Sequence, residues 1–249
     1  NSVWRHHYSA IQRSNFIIEN IETARENIDA TVTDRVEAEA KFLRAYHYMM
    51  LTEFYGDVPF VISSLNLENA DMARESKSVI VDELISDLTF AMQNLPASHE
   101  AKFTGKATSG AAAALLSRIA LYNERYNVAI EAAEEVMGLG YSLHPDYGEL
   151  FQIDGQNSSE IIFYLPYHLD VERNLNMVEM YPRAGKGWSV SVPTQWLVDA
   201  YQCTDGLPID ESPLYDQANP FENRDPRLQQ SLIVPQSTFA GYTFETHPD

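Results

Sequence analysis

Residues 37–61, EAEAKFLRAYHYMMLTEFYGDVPFV, carry the strongest structural signal in this sequence of 249 residues. Apolar and aromatic side chains recur three and four residues apart on more than one face, which predicts a helix that is buried over much of its surface. Thr33 or Asp34 can cap its start. Gly56 and Pro59 should end it, because glycine accepts a positive φ and proline cannot continue a helix.

Helical periodicity continues on both sides of this stretch. The segments with the same spacing are 4–28, 79–95, 109–122 and 126–139. Because only short turns separate the first helix from the second, and the fourth from the fifth, each of these pairs should form a helical hairpin.

The hairpin formed by 109–122 and 126–139 resembles a tetratricopeptide unit, because small alanines lie where its two helices would meet and an aromatic residue lies near the turn. The hairpin of the first two helices would be a second, degenerate unit. Divergent units of this kind stack into one array, because each must bury its apolar face against a neighbour. In such an array we expect Tyr46, Leu115 and Ala129 to be buried.

The sequence changes character after Gly140. Helical periodicity fades, and proline, glycine, asparagine and aromatic residues become more frequent. Residues 160–167, EIIFYLPY, predict a strand because they are apolar and follow a turn sequence. Residues 193–201 predict a short helix that starts at a proline.

We interpret residues 1–249 as one domain, because the sequence contains no linker rich in glycine and serine. A helical scaffold would occupy 1–140 and an irregular, ligand-facing part 141–249. The predicted fold class is mainly α: a tetratricopeptide-like α-α superhelix with an irregular, loop-rich face that carries short strands.

The charge balance restricts the classes of ligand. The chain has 36 acidic residues and 17 lysines and arginines, a formal net charge of −19. Because phosphate binding needs a basic surface, we expect no nucleic-acid partner, and acidic polysaccharides are disfavoured. Neutral glycans or a cationic partner remain open, and solubility alone explains the acidity equally well.

The sequence contains no motif that points to a catalytic centre. A single cysteine, Cys203, excludes an internal disulfide and a cysteine zinc site. The seven histidines lack the spacing of metal ligands, and His6 and His7 should point apart on their helix. The signatures of zinc proteases, phosphate-binding loops, serine hydrolases and dinucleotide-binding proteins are all missing. We therefore expect no catalytic residue, no metal and no cofactor.

No apolar run reaches the roughly 18 residues of a membrane span. The first helical pattern begins at once after Asn1, with no signal peptide or lipobox cysteine before it, and the final residues also look cut. We expect a trimmed chain, so that any attachment to a membrane would depend on a lipid anchor that this chain lacks.

Motifs along nearly the whole chain resemble those of the SusD/RagB family. The helix in 37–61 contains the E-A-x-F-L-R-A-Y and Y-G-D-V-P patterns. The other matching motifs are W-x3-Y-x2-I-x3-N at 4–15, G-K-A-T and an alanine-rich helix at 105–122, L-F and N-S-S-E-I-I-F at 150–163, P-T-x2-L-V-D-A-Y-x3-D-G at 193–206, and N-R-D-P-R-L at 223–228. Their shared order is far more specific than any one of them.

The resemblance implies a surface lipoprotein of Bacteroidota that captures glycans, or in some cases peptides. Such proteins deliver the ligand to a TonB-dependent, SusC-like outer-membrane transporter, which would be the protein partner. The expected location is the cell surface at the outer membrane. Family members are considerably longer than this chain, so that part of the ligand site and of the transporter-facing surface would lie outside it.

Charged residues of the family motifs are best explained as structural. Arg44 lies on a mostly apolar helix and should pair with a carboxylate such as Glu39 or with backbone carbonyls. Arg224, Asp225 and Arg227 should form an ion network that fixes a turn.

Aromatic residues in irregular segments are the candidate ligand site. Sugar rings stack their C–H faces on tryptophan and tyrosine, while nearby polar groups bond the hydroxyls. The family resemblance places ligand aromatics on loops of this later half and on loops before the first helix. The candidate residues are Trp188, Tyr181, Arg183, Asn174 and Tyr215. We expect Trp4 and Trp196, which lie on predicted helices, to pack against the scaffold instead.

Two other functions stay open. A tetratricopeptide-like adapter would bind a protein or peptide through its array and need no glycan. A glycoside hydrolase is less favoured, because chance pairs of carboxylates are inevitable among 36 acidic residues.

Overall fold

The computed structural model describes residues 2–64, 71–100, 105–165, 177–239 and 241–245. The chain divides into two compact units. The first comprises Asn1–Leu143 and Ser159–Pro166, and the second His144–Ser158 and Tyr167–Asp249. The organisation as one domain stays a prediction.

The described residues of the first unit form five helices: α1 (Ser2–Arg25), α2 (Ala30–Tyr55), α3 (Lys77–Asn94), α4 (Ser109–Tyr122) and α5 (Tyr126–Gly138). Each helix packs against the next along the chain. This consecutive packing confirms the predicted mainly α, tetratricopeptide-like array and its two hairpins. A two-residue strand β1 (Val58–Pro59) pairs antiparallel with β2 (Arg74–Glu75) beyond α2.

The core of the first unit consists of the apolar faces of these helices. Leu115 and Ala129 are buried, as predicted. The prediction for Tyr46 is wrong, because its side chain is 37% exposed. Ala45 and Tyr48 take the inward positions of that turn of α2, while the ring of Tyr46 lies beside that of His47 with centroids 5.3 Å apart.

The two ends of α2 differ in how well the sequence predicts the residues that cap them. Asp29 caps the start, because its carboxylate accepts a hydrogen bond from the backbone N–H of Thr31. The predicted caps, Thr33 and Asp34, lie inside the helix instead. Gly56 ends the helix with a φ of 70°, as the sequence predicted. Its backbone N–H donates to the carbonyl of Thr52.

A buried polar cluster connects α1, α2 and α3. Arg44 donates to both carboxylate oxygens of Asp87, at 2.7 and 2.8 Å, and to Oδ1 of Asn15 at 3.2 Å. Asn15 in turn donates to the backbone carbonyl of Val61 at 2.9 Å. The structural role of Arg44 is therefore correct, but its predicted partner is wrong. Glu39 approaches Lys106 instead.

Residues 160–165 do not form the predicted strand. Two apolar side chains of this segment contact the helical part of the first unit instead. Ile162 packs against the core of the first unit, and Phe163 makes an edge contact with Phe42 at 5.3 Å between centroids. Residues 166 and 167 of the prediction lie outside the described residues.

Short elements and turns form the second unit. They are α6 (Tyr147–Leu150), a 3-10 turn (Ile153–Asn157), α7 (Met177–Met180), a 3-10 turn (Arg183–Gly185), α8 (Gln195–Ala200), α9 (Pro226–Ser231), β3 (Thr238–Phe239) and β4 (Tyr242–Thr243). The two strands pair antiparallel. These short helices, turns and two-residue strands confirm the predicted loop-rich part that carries short strands.

Candidate functional site

Residues 177–191 form a loop that folds back on α7. The backbone N–H of Trp188 donates to the carbonyl of Val178 at 2.8 Å, and that of Val190 donates to Glu179 at 2.8 Å. Ser189 donates to Tyr181 at 3.0 Å. Trp188 therefore lies on a segment whose backbone is held on both sides, while its indole is 61% exposed.

Gly187 allows the tight return of this loop. It is buried, and a Cβ at this position would lie 2.1 Å from the carbonyl oxygen of Tyr181. Real Cβ atoms do not approach backbone oxygen so closely, so any other residue would push the two segments apart. Glycine is therefore needed at this position because it permits the close approach of the two backbone segments.

The predicted site residues fall into two groups. Trp188, Tyr181 and Arg183 lie on the folded-back loop, where Tyr181 packs its ring edge-on against Phe239 at 4.9 Å between centroids. Tyr215 belongs to a different cluster, with the guanidinium of Arg224 5.7 Å from its ring centroid. Asn174 lies outside the described residues. The assignment of these five residues to a ligand site stays a prediction.

Arg224 acts on the backbone of the second unit. It is buried and donates to the carbonyls of Pro220, Val198 and Tyr201, each at 2.7 Å. The predicted ion network of this motif is thus only partly correct. Asp225 forms an ion pair with Arg227, which lowers the pKa of the carboxyl group, whereas Arg224 bonds neutral carbonyls.

Sequence reasoning missed two exposed or polar features. Trp196 was expected to pack, yet it is 78% exposed, because α8 has only six residues and buries none of them. His7 and His47 approach to 2.8 Å between their Nδ1 atoms, and the ring of His6 contacts that of His7 rather than pointing away. A local sequence pattern cannot predict the contact between His7 and His47, because 40 residues separate them.

Neither a metal centre nor a membrane span is found in the part of the chain that the structure describes. No group of three His, Cys, Asp or Glu side chains there could hold a metal ion. The helices of the same part are too short or too polar to cross a bilayer.

The first unit defines a tetratricopeptide-like helical-repeat protein, and the second adds an irregular assembly with exposed tryptophans. Two family models match the two parts of this chain. One, described as starch-binding associating with outer membrane, covers residues 1–121, and the other, described as the SusD family, covers residues 150–248. The chain is a member of the SusD/RagB family.

Individual relatives agree with this assignment. SusD-like protein P25 of Formosa agariphila is 26% identical over 69% of this chain and 33% of its own length. The crystal structure of a SusD-like carbohydrate-binding protein from Bacteroides fragilis superposes with a TM-score of 0.87, at 27% identity, over 99% of this chain and 49% of that one. A laminarin-binding SusD-like protein gives 0.61 at 28% identity, over 65% and 36%. This chain spans less than half the length of each of the three.

Proposed function

We propose that the protein captures glycans at the bacterial cell surface without cleaving them. The observation that carries this proposal is Trp188, an exposed indole on a loop whose backbone hydrogen bonds hold it in place. An aromatic side chain has only two rotatable bonds, so on a backbone that is already held it can stack on a sugar at a low cost in conformational entropy. The solved relatives that bind carbohydrate and laminarin support this class of ligand for the chain.

Neutral oligosaccharides or polysaccharides are the proposed ligands. The formal net charge of −19 opposes the approach of a polyanion, whereas a neutral chain experiences no such barrier. Arg183 at the start of the 3-10 turn is exposed and supplies hydrogen-bond donors near Tyr181 and Trp188. Asn174 and Tyr215 complete the proposed residue set.

The proposed route of the ligand is transfer to a TonB-dependent, SusC-like transporter in the outer membrane. The family description that mentions the outer membrane supports this location, with a lipid anchor holding the protein at the cell surface. Co-purification of the protein with a transporter encoded beside it, from detergent-solubilised outer membranes, tests the partner.

Calorimetric titration tests glycan capture directly. The full chain is titrated with laminarin, starch and a panel of neutral oligosaccharides, and with tryptic peptides in a parallel arm. Heat from a neutral glycan supports the proposal. If no glycan produces a heat of binding, the proposal is contradicted. If reducing ends are released from a bound glycan, the protein is a hydrolase instead.

A protein-binding adapter is the second candidate, favoured by exposed apolar side chains on the last two helices of the array. They are Leu121, Tyr122, Tyr126, Ile130 and Met137. Clusters of this kind on a helical repeat often contact another protein. Binding of peptides but of no glycan in the same titration would favour this function.

A further inference from the structure

The second unit contains a cleft of about 350 Å³ that is separate from the Trp188 loop in its lining residues. Its lining residues come from α6, from the end of α8, and from the start of α9. They are Tyr147, Leu197, Ala200, Tyr201, Gln202, Asp225 and Arg227. The volume lies near the lower end of the range for small-molecule sites, roughly 300–1,000 Å³, which suits one or two sugar rings.

Backbone pairing fixes the two walls of this cleft relative to each other. The N–H of Asp225 donates to the carbonyl of Gln202 at 2.9 Å, and that of Thr204 donates to Asn223 at 2.8 Å. Arg224, which precedes Asp225 in the chain, donates to the backbone carbonyl of Tyr201 at 2.7 Å. The N-R-D-P-R-L motif therefore places the wall that contains Tyr201 and Gln202 opposite its own Asp225 and Arg227.

The ion pair in the cleft presents directed donors with little net charge. Nε of Arg227 lies 3.0 Å from both oxygens of Asp225, and Nη2 also donates to that carboxylate. The side chain of Arg227 stays 60% exposed. A guanidinium oriented in this way can donate to sugar hydroxyls without being free to collapse elsewhere.

Two tyrosines supply the apolar part of the cleft. Tyr147 is held by an edge contact with Phe151, at 5.1 Å between centroids, and by its hydroxyl 3.4 Å from Oγ of Ser231. Tyr201 is half-buried at the end of α8. Two tyrosine rings, a paired guanidinium and an exposed glutamine amide match the mixed surface of a pyranose, which has C–H faces and a hydroxyl rim.

We propose that this cleft binds one neutral pyranose unit, as a second contact point in addition to the Trp188 loop. The inference rests on the proposed glycan capture. It specifies this cleft as the place where another sugar unit of the bound glycan would lie. Because Asp225 already compensates the charge of Arg227, a carboxylated sugar gains little and meets the acidic field of the protein. The expected ligand class is therefore a neutral hexose rather than a uronic acid.

Saturation-transfer NMR on the full chain tests the cleft, with the methyl glycosides of glucose, galactose, mannose and glucuronic acid as probes. We expect saturation transfer to at least one neutral glycoside from the wild type and from the variant Trp188→Ala. The double variant Tyr201→Ala with Trp188→Ala should lose this signal. Tyr46→Ala, which removes an exposed tyrosine of the first unit, is the matched control and should leave the signal unchanged.

A second variant distinguishes a loss of binding from a folding defect in Tyr201→Ala. Gln202→Ala removes only an exposed side chain. The backbone carbonyl of residue 202, which accepts a hydrogen bond from the N–H of Asp225, is retained. With laminarihexaose as the calorimetric probe, we expect Tyr201→Ala and Gln202→Ala each to weaken binding, the former at least about fivefold.

Each other outcome overturns the inference. If only Trp188→Ala weakens binding, the cleft is not a sugar site although glycan capture stands. If the glucuronide binds best, the neutral class is wrong. If the wild type binds no glycoside and no oligosaccharide, both the cleft and the proposed function fail.

Discussion

Each compact unit contains a buried arginine, and the two arginines differ in their partners. Arg44 in the helical array uses Nε, Nη1 and Nη2 to bond a carboxylate and an amide. Arg224 in the irregular unit bonds three backbone carbonyls, and its buried Nε has no hydrogen-bond partner among the described residues. In regular helices the carbonyls are already paired, so a buried cation needs a carboxylate. In turns the unpaired carbonyls themselves can satisfy the cation.

The largest effect should come from Arg44→Ala. Removing this guanidinium leaves Asp87, which is 1% exposed, as an unpaired buried acid. Loss of one partner of a buried ion pair costs roughly 3–5 kcal/mol of unfolding free energy. Urea denaturation of the wild type and the variant measures the difference.

The double variant Arg44→Met with Asp87→Leu is the control for this effect. Because it removes both charges and keeps apolar volume, it should recover most of the lost stability. A double variant as unstable as Arg44→Ala would show that the ion pair itself, rather than the unpaired charge, accounts for the loss.

Arg224→Ala should have a smaller effect on stability. The carbonyls of Val198, Tyr201 and Pro220 lose their donor, but they are neutral and lie at turns and at a helix end. We expect a loss of about 2–3 kcal/mol, the cost of leaving buried acceptors unsatisfied. Arg224→Lys tests geometry, because one ammonium cannot reach all three carbonyls as a planar guanidinium does. A loss equal to that of Arg44→Ala would remove the distinction between the two arginines.

These two arginines also show what the sequence could and could not predict. That each is structural follows from its place in a family motif and from the cost of burying an unpaired charge. The partner of Arg44 lies 43 residues away, and the carbonyls bound by Arg224 are as far as 26 residues away. Local patterns cannot report such pairings, because they arise only when helices and turns have packed.

The same limit explains the other differences. Helix periodicity located all five helices of the array, whose apolar faces depend on neighbours three and four residues away. In residues 160–165, Ile162 and Phe163 contact the helical core. Apolar residues of this kind are also typical of a strand, so the sequence alone could not separate the two structures. Trp196 is exposed because α8 is too short to bury a face, and a composition rule for aromatics cannot foresee that.

Trp188→Ala should separate binding from stability in the second unit. The loop keeps its shape through backbone bonds that an alanine retains, and the exposed indole buries little. We expect glycan affinity to fall at least about tenfold, which is about 1.4 kcal/mol, with a nearly unchanged melting temperature. Calorimetric titration and thermal unfolding on the same preparations measure both. A large drop in melting temperature with affinity retained would make Trp188 a packing residue.

The smallest predicted effect concerns the histidines of the first unit, where a buried polar contact is neutral rather than ionic. Burial, followed by the nearby His7 and His6, lowers the pKa of His47 from 6.5 to about 4. The folded protein therefore resists a proton that the unfolded chain accepts near pH 6.5. Stability from this site is fully present above that pH and is lost as the pH falls toward 4.

The measurement is the melting temperature between pH 7.5 and 4.5 for the wild type and for His47→Gln. The glutamine keeps a polar partner for His7 but cannot take a proton, so the curve of the variant should fall less steeply. Asp225 and Glu19, whose pKa values are lowered by hydrogen bonds, titrate in both proteins and cancel in the difference. Parallel curves would show that the His7–His47 contact opens to water at little cost. The array would then tolerate an unpaired charge at His47, whereas we expect an unpaired charge at Asp87 to be costly.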